Sequence, residues 1–248
     1  MVDSEQPKAM QKQVEQYRQL GYTLVEGALT PAECGALINR AFELHTKGHI
    51  PGCFHSVSES ESGGDPLRMY PRMMHPHRVD ALFLHFLKHP RIVSWLEALL
   101  GVGAIGLQTM LYWKPPGARG QAFHQDDYYL KTEPDACVAA WVALEPIDDE
   151  NGCLTVFPGS QAETILPMTP TDITQSFTNT AVTPPPRYHE QPVHMQTGDA
   201  LFFHGHLIHG SRPNTSKSRF RKSFICHYIP ENTTSFNRGY EPQVQLRP

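Results

Sequence analysis

Apolar positions at Met10, Val14, Tyr17 and Leu20 recur at helical spacing and stop at Gly21. This pattern predicts an amphipathic helix over 8–20, with a short strand, Tyr22–Val25, behind it. Thr30-Pro31-Ala32-Glu33 has the form of a capping box with proline at the first helical position, and opens a helix to about residue 46. Residues 49–66 are polar and rich in Gly and Ser, and read as a mobile loop. A further helical stretch covers 78–100, interrupted at Pro90 and closed by Gly101. From 104 onward the period shortens. Runs at 105–114, 122–130, 136–145, 153–157, 193–196, 199–204 and 220–229, bounded by Gly, Pro, Asn and Asp, read as strands. A Pro/Thr-rich insertion at 160–192 is long enough to be a lid over a site. The simplest arrangement is one mainly β domain over 1–248, with a helical support layer (1–104) on a barrel (105–229).

Composition narrows the function classes. With 40% hydrophobic and 19% charged residues the chain is globular, and a net charge of −4 gives no basic face for nucleic acid. No apolar run approaches the ~20 residues of a bilayer span, and the polar N-terminal stretch lacks the core of a signal peptide. A cytoplasmic protein acting on a small molecule is the expectation, with no membrane or nucleic-acid partner. The oligomeric state is not legible. Five cysteines without a C-x-x-C pair read as buried free thiols. Histidine stands out, at 14 of 248 residues, and imidazole is the commonest metal-binding side chain.

Two segments place histidine for chemistry. In GQAFHQDDYYL, His124 and Asp126 are two apart and share a face of the expected strand, while Asp127 points away. In GDALFFHGHLIHGS, an apolar strand delivers His204, His206 and His209 near its end. One of these three with the H-x-D pair makes a two-histidine, one-carboxylate set, the ligand pattern of non-heme Fe(II) oxygenases. Arg221, in RFRKSFICHYI, alternates with Ser223, Ile225 and His227; the opposite face carries Phe220 and Lys222, and periodicity alone leaves both faces open. If Arg221 points inward it needs an anionic partner, and a carboxylate held by two parallel hydrogen bonds suits it best. Asp148-Asp149-Glu150 reads as a solvated turn and not as a second metal site. Tyr129, Lys131 and Arg187 are candidates for contact with substrate.

The blocks MLYWKPPG, FHQDDYYL, AAWVALEPIDDENGCLTVFPGSQ, GDALFFHGHLIHGSRPNTS and FRKSFICHY occur in that order. Together they resemble the phytanoyl-CoA dioxygenase-like branch of the Fe(II)/2-oxoglutarate oxygenases, closely over about 105–229. The resemblance implies a double-stranded β-helix (jelly-roll, cupin-like) barrel with N-terminal helices. It implies Fe(II), 2-oxoglutarate and O2, with ascorbate as a stimulant, and hydroxylation of an unactivated C–H with release of succinate and CO2. His124, Asp126 and His209 match the iron ligands, His209 because it opens the family's H-G-S-x-x-N stretch. Arg221 matches the arginine on the far carboxylate of 2-oxoglutarate and Ser211 a hydroxyl beside it. Met110 and Trp141 match the lining of that pocket, and Arg72 falls where the family often has lysine. The interval from His209 to Arg221 is one residue longer than the family's, which leaves Arg219 as the alternative anchor. Two other readings keep the barrel: a cupin metalloenzyme with no use for 2-oxoglutarate, and a non-catalytic binding protein. A halogenase would lack the carboxylate ligand that Asp126 supplies.

Overall fold

The computed structural model describes residues 6–134 and 136–247. Its strands are β1 (Tyr22–Val25), β2 (Ala104–Lys114), β3 (Gln121–His124), β4 (Val138–Ala143), β5 (Leu154–Val156), β6 (Gln191–Val193), β7 (Ala200–His204), β8 (His209–Ser211), β9 (Arg221–Pro230) and β10 (Val244–Gln245), with several two-residue strands besides. They form a major sheet in the order β1-β7-β4-β9-β2-β10 and a minor sheet in the order β6-β5-β8-β3. All neighbours in both sheets are antiparallel.

Alternation along β4 explains the two-sided burial of the major sheet. Val138, Ala140 and Val142 pack into the cluster that holds the helices, whereas Ala139, Trp141 and Ala143 pack between the sheets. A strand covered on both faces carries an unbroken apolar run, as VAAWVA does. The covering helices are α1 (Gln6–Leu20), α2 (Pro31–His45), α3 (Ala81–Leu87) and α4 (Pro90–Leu100). The capping box forms: Thr30 Oγ1 accepts from the Glu33 amide at 3.3 Å, and Glu33 Oε2 accepts from the Thr30 amide at 2.7 Å. Glu33 also meets His89 and Arg91, which ties α2 to α4.

Three expectations need correction. The strand expected over 122–130 ends at His124; the chain then turns through a right-handed helical residue at Asp126 into the single-turn helix α5 (Asp127–Leu130). Asp127 Oδ1 accepts from the Thr132 amide and hydroxyl, at 3.2 and 2.6 Å, which stabilises the turn over an extended path. The loop at 49–66 is built of local structure, with a hairpin pairing His49–Ile50 to Phe54–His55 and a second capping box between Ser58 and Glu61. The interruption expected at Pro90 is present, with helices at Ala81–Leu87 and Pro90–Leu100 and His89 extended ahead of the proline. The strand expected at 193–196 is Gln191–Val193, with Met195 making only a bridge to Ile147.

The 160–192 insertion is stitched to β3. Just ahead of β3, Gly120 N donates to the Gln175 carbonyl and the Gly120 carbonyl accepts from Phe177 N; Ala122 N donates to Ser176 Oγ, and Val182 N donates to the Phe123 carbonyl. All five cysteines are buried and unpaired.

Candidate metal and cosubstrate site

The site starts from one cross-strand pair. The β8–β3 register sets His209 opposite His124, with ring centroids 4.2 Å apart. Gly210 makes that approach possible, since a Cβ there would sit 2.7 Å from the Phe123 ring and 2.8 Å from the Gln121 carbonyl. Asp126 arrives from the turn rather than from a strand face. Its Oδ1 lies 3.4 Å from His124 Nε2 and 3.7 Å from His209 Nε2. All three residues are buried.

The protonation of this cluster follows from its partners. His124 Nδ1 and His209 Nδ1 each face a backbone carbonyl, of Ala122 and Leu207, both at 2.9 Å. A carbonyl can only accept, so both Nδ1 atoms carry hydrogen and both Nε2 atoms offer lone pairs. Burial, reinforced by His124, lowers His209 to about 4, so its imidazole is neutral. Burial opposes ionisation of Asp126, but His227, the first of its histidine neighbours in weight and its hydrogen-bond donor, outweighs it and holds the carboxyl well below its ordinary value. Three acceptors thus converge on one point, an arrangement that a cation stabilises. A Gln121 amide hydrogen bond to His124 Nε2, at 3.1 Å, occupies the position a metal would take over. The donor set fits Fe(II).

A cavity of about 250 Å3 opens beside the triad, and Met110, Trp141 and Arg72 lie on its wall. Arg72 donates to the Tyr112 hydroxyl at 3.2 Å. Arg221 stands behind the wall, its guanidinium 5.2 Å from the Trp141 ring and 5.8 Å from that of Tyr112. It is 3% exposed, and its Nε has no hydrogen-bond partner. Nη1 donates to Ser223 Oγ at 2.7 Å, and among the described residues no carboxylate forms an ion pair with it. Burial pushes it down to about 10, which an incoming carboxylate would reverse. Ser211 lies close by but off the cavity wall, its Oγ accepting from Lys114 Nζ at 3.0 Å and from the Gln121 amide at 3.2 Å.

The alternative histidines and arginine are committed elsewhere. His206 pairs with Asp127 at 3.4 Å, and His204 packs near the Tyr17 ring. Arg219 is half-exposed and pairs with Asp148 at 2.8 Å and Glu150 at 3.2 Å. Tyr129 is on the cavity wall and Lys131 in the adjoining groove, while Arg187 pairs with Glu163 on the surface.

Three functional residues escaped the sequence reading. His227 Nε2 donates to Asp126 Oδ2 at 2.9 Å, orienting the carboxylate; its place two and four residues beyond Ile225 and Ser223 on the inward face was the available signal. Gln125 is fully buried, donates to the Thr164 and His206 carbonyls and accepts from Leu166 N, pinning the start of the insertion to the triad loop. Lys114 is 2% exposed, and burial and the nearby Arg221 push its amine well below the usual lysine value.

Comparison with known proteins now decides the family. The sequence profile described as Phytanoyl-CoA dioxygenase (PhyH) matches residues 17–223. The chain belongs to the phytanoyl-CoA dioxygenase family. It is 28% identical over 234 residues to the peroxisomal phytanoyl-CoA dioxygenase of Bos taurus, covering 87% of this chain and 67% of that one. It is 26% identical over 263 residues to phytanoyl-CoA dioxygenase domain-containing protein 1 of Danio rerio, covering 89% and 90%. The match to the Rattus norvegicus peroxisomal enzyme spans only 43% of that relative's length. Among solved structures, the family fold is shared with the epimerase SnoN in complex with Fe3+, alpha ketoglutarate and nogalamycin RO (TM-score 0.73, 21% identity, 94% and 88% covered). The non-heme monooxygenase ThoJ is also similar (TM-score 0.70, 22% identity, 89% and 78% covered). Family and fold together identify the two-sheet barrel as a jelly roll. Among the described residues, no helix is long and apolar enough to cross a membrane.

Proposed function

We propose that this chain is an Fe(II)- and 2-oxoglutarate-dependent dioxygenase that hydroxylates an unactivated C–H of a small molecule. The observation that carries the reading is a pairing of needs, one in the triad cavity and one just behind its wall at Trp141. Three converging acceptors call for a cation, and a buried arginine without a carboxylate calls for an anion.

His124, Asp126 and His209 would hold Fe(II), and Arg221 would hold the distal carboxylate of 2-oxoglutarate by charge-assisted hydrogen bonds. Bound iron and 2-oxoglutarate supply activation of O2, with conversion of the cosubstrate to succinate and CO2 and oxygen delivered to substrate. The protein supplies position and dryness. The Trp141 and Tyr112 rings pack against the guanidinium, while Lys114 orients the Ser211 hydroxyl. The insertion, held by Gln125 and β3, places Thr178 on the cavity wall and shields the centre from water. Tyr129 and Tyr240 border both this cavity and an adjoining groove of about 820 Å3, a path by which a small substrate reaches the triad. A screen of candidate metabolites for substrate-stimulated succinate formation tests the reading. Stimulation with a product one oxygen heavier supports it, and product without 2-oxoglutarate consumption favours the cupin alternative.

His227 has its own expected effect. Its bond to Asp126 orients the one anionic ligand, and loss of such an outer partner weakens metal binding by roughly 10- to 100-fold. His227→Ala should lower Fe(II) affinity by that order in a chelator competition, with His227→Gln recovering part of it. An unchanged affinity in His227→Ala removes the positioning role.

A further inference from the structure

A second group of metal-ligating side chains lies outside the cavity, where the loop ahead of β5 meets the end of β6. Asp149, Cys153 and His194 each present one donor atom, all within 4.8 Å of one another. Cys153 Sγ is 3.5 Å from Asp149 Oδ1, and His194 Nε2 is 2.9 Å from Asp149 Oδ2. A tetrahedral Zn2+, with bonds of about 2.3 Å to sulfur and about 2.0–2.2 Å to nitrogen and oxygen, sets its donors roughly 3.3–3.6 Å apart. The two spacings from Asp149 differ from these by half an ångström or less, Cys153 Sγ and the His194 nitrogen lie within 4.8 Å of each other, and Asp149 and His194 are exposed enough to adjust.

The local fold explains the convergence. Cys153 N donates to the Asp148 carbonyl at 3.0 Å, closing a turn through Gly152, whose φ is +82°. That turn brings thiol and carboxylate, four residues apart, to the same spot. The β5–β6 register pairs Leu154 with Val193, so Cys153 and His194 are the next positions across the ladder. The surrounding charges leave the group available. Arg219 is held by Asp148 and Glu150, and Arg212, the cation facing Cys153 and Asp149, is held by Glu190 at 2.9 Å.

We propose that Asp149, Cys153 and His194 form a second metal site, for a borderline-soft divalent ion such as Zn2+, that clips the β5 approach to β6. The Cys153 thiol gives its proton to solvent and its sulfur to the metal, so thiolate and carboxylate balance the divalent charge, and solvent completes the tetrahedron. Hard cations have no use for the sulfur. Leu154, next to the clip, lies on the cavity wall, so the metal steadies one side of the site.

Cobalt(II) is the probe, because a cysteine thiolate ligand gives an ultraviolet sulfur-to-cobalt charge-transfer band and the His124–Asp126–His209 set contains no sulfur. Full-length protein titrated with Co2+ should develop this band, and Zn2+ should abolish it. The band should persist in His209→Ala, vanish in Cys153→Ser, and need at least tenfold more Co2+ in His194→Ala, whose exposed side chain is dispensable for folding. Absence of the band in wild type, its survival in Cys153→Ser, or indifference to His194→Ala overturns the proposal.

Discussion

His209→Ala is expected to abolish Fe(II) binding and turnover while leaving the barrel folded. The side chain faces a cavity rather than the apolar core, and its proposed role there is to offer Nε2 beside His124 and Asp126. Removing one of the three proposed protein ligands should drop activity below detection, with the circular dichroism spectrum and a cooperative melt retained. His206→Ala should keep most activity, because its partner is Asp127 on the outer side of the turn. The measurement is iron content after anaerobic loading and desalting, alongside succinate formation. Iron retained by His209→Ala and lost by His206→Ala would move the third ligand to the wrong histidine and break the account.

Arg221→Ala is expected to raise the 2-oxoglutarate KM tenfold or much more while leaving Fe(II) binding nearly unchanged. A buried hydrogen-bonded charge pair that loses one partner costs roughly 2–5 kcal/mol, and each 1.4 kcal/mol is about tenfold in affinity. Arg221→Lys should be only partly effective, because an ammonium lacks the planar fork that packs against Trp141 and Tyr112. Arg219→Ala should leave the KM where it is, since that guanidinium is occupied by Asp148 and Glu150 at the surface. A KM effect confined to Arg219→Ala would shift the register of the anchor by two residues. Isothermal titration of 2-oxoglutarate into the loaded variants separates these outcomes.

The helices and long strands were legible because their signals are local. The Thr30–Glu33 capping box, the glycine stop at Gly101 and the two-sided apolar run in β4 each depend on neighbours in sequence. The triad was legible for a partly mistaken reason. His124 and Asp126 do converge, but through a turn into α5, and strand alternation selected Asp126 over Asp127 by coincidence. What decides the turn is the Asp127–Thr132 cap, a signal hidden behind the β-rich letters of DYYL. Strand β8 went unread because three residues carry no period, although it bears His209. His227, Lys114 and the Asp149–Cys153–His194 group are products of tertiary register, since each meets its partner across a ladder or a loop closure. The loop at 49–66 looked polar and mobile because its capping box and hairpin satisfy backbone groups with the same Ser, Gly and Glu that mark disorder.

The central claim is that the triad and the buried arginine serve one reaction, and the conversion of 2-oxoglutarate to succinate tests it most directly. Wild type and Asp126→Ala are compared under air with Fe(II) and ascorbate, with succinate quantified against 2-oxoglutarate consumed. The account predicts Fe(II)-dependent succinate from wild type, stoichiometric with cosubstrate loss, and none above background from Asp126→Ala. Succinate formed equally by both proteins, or by neither across a broad panel of small-molecule substrates, would contradict it.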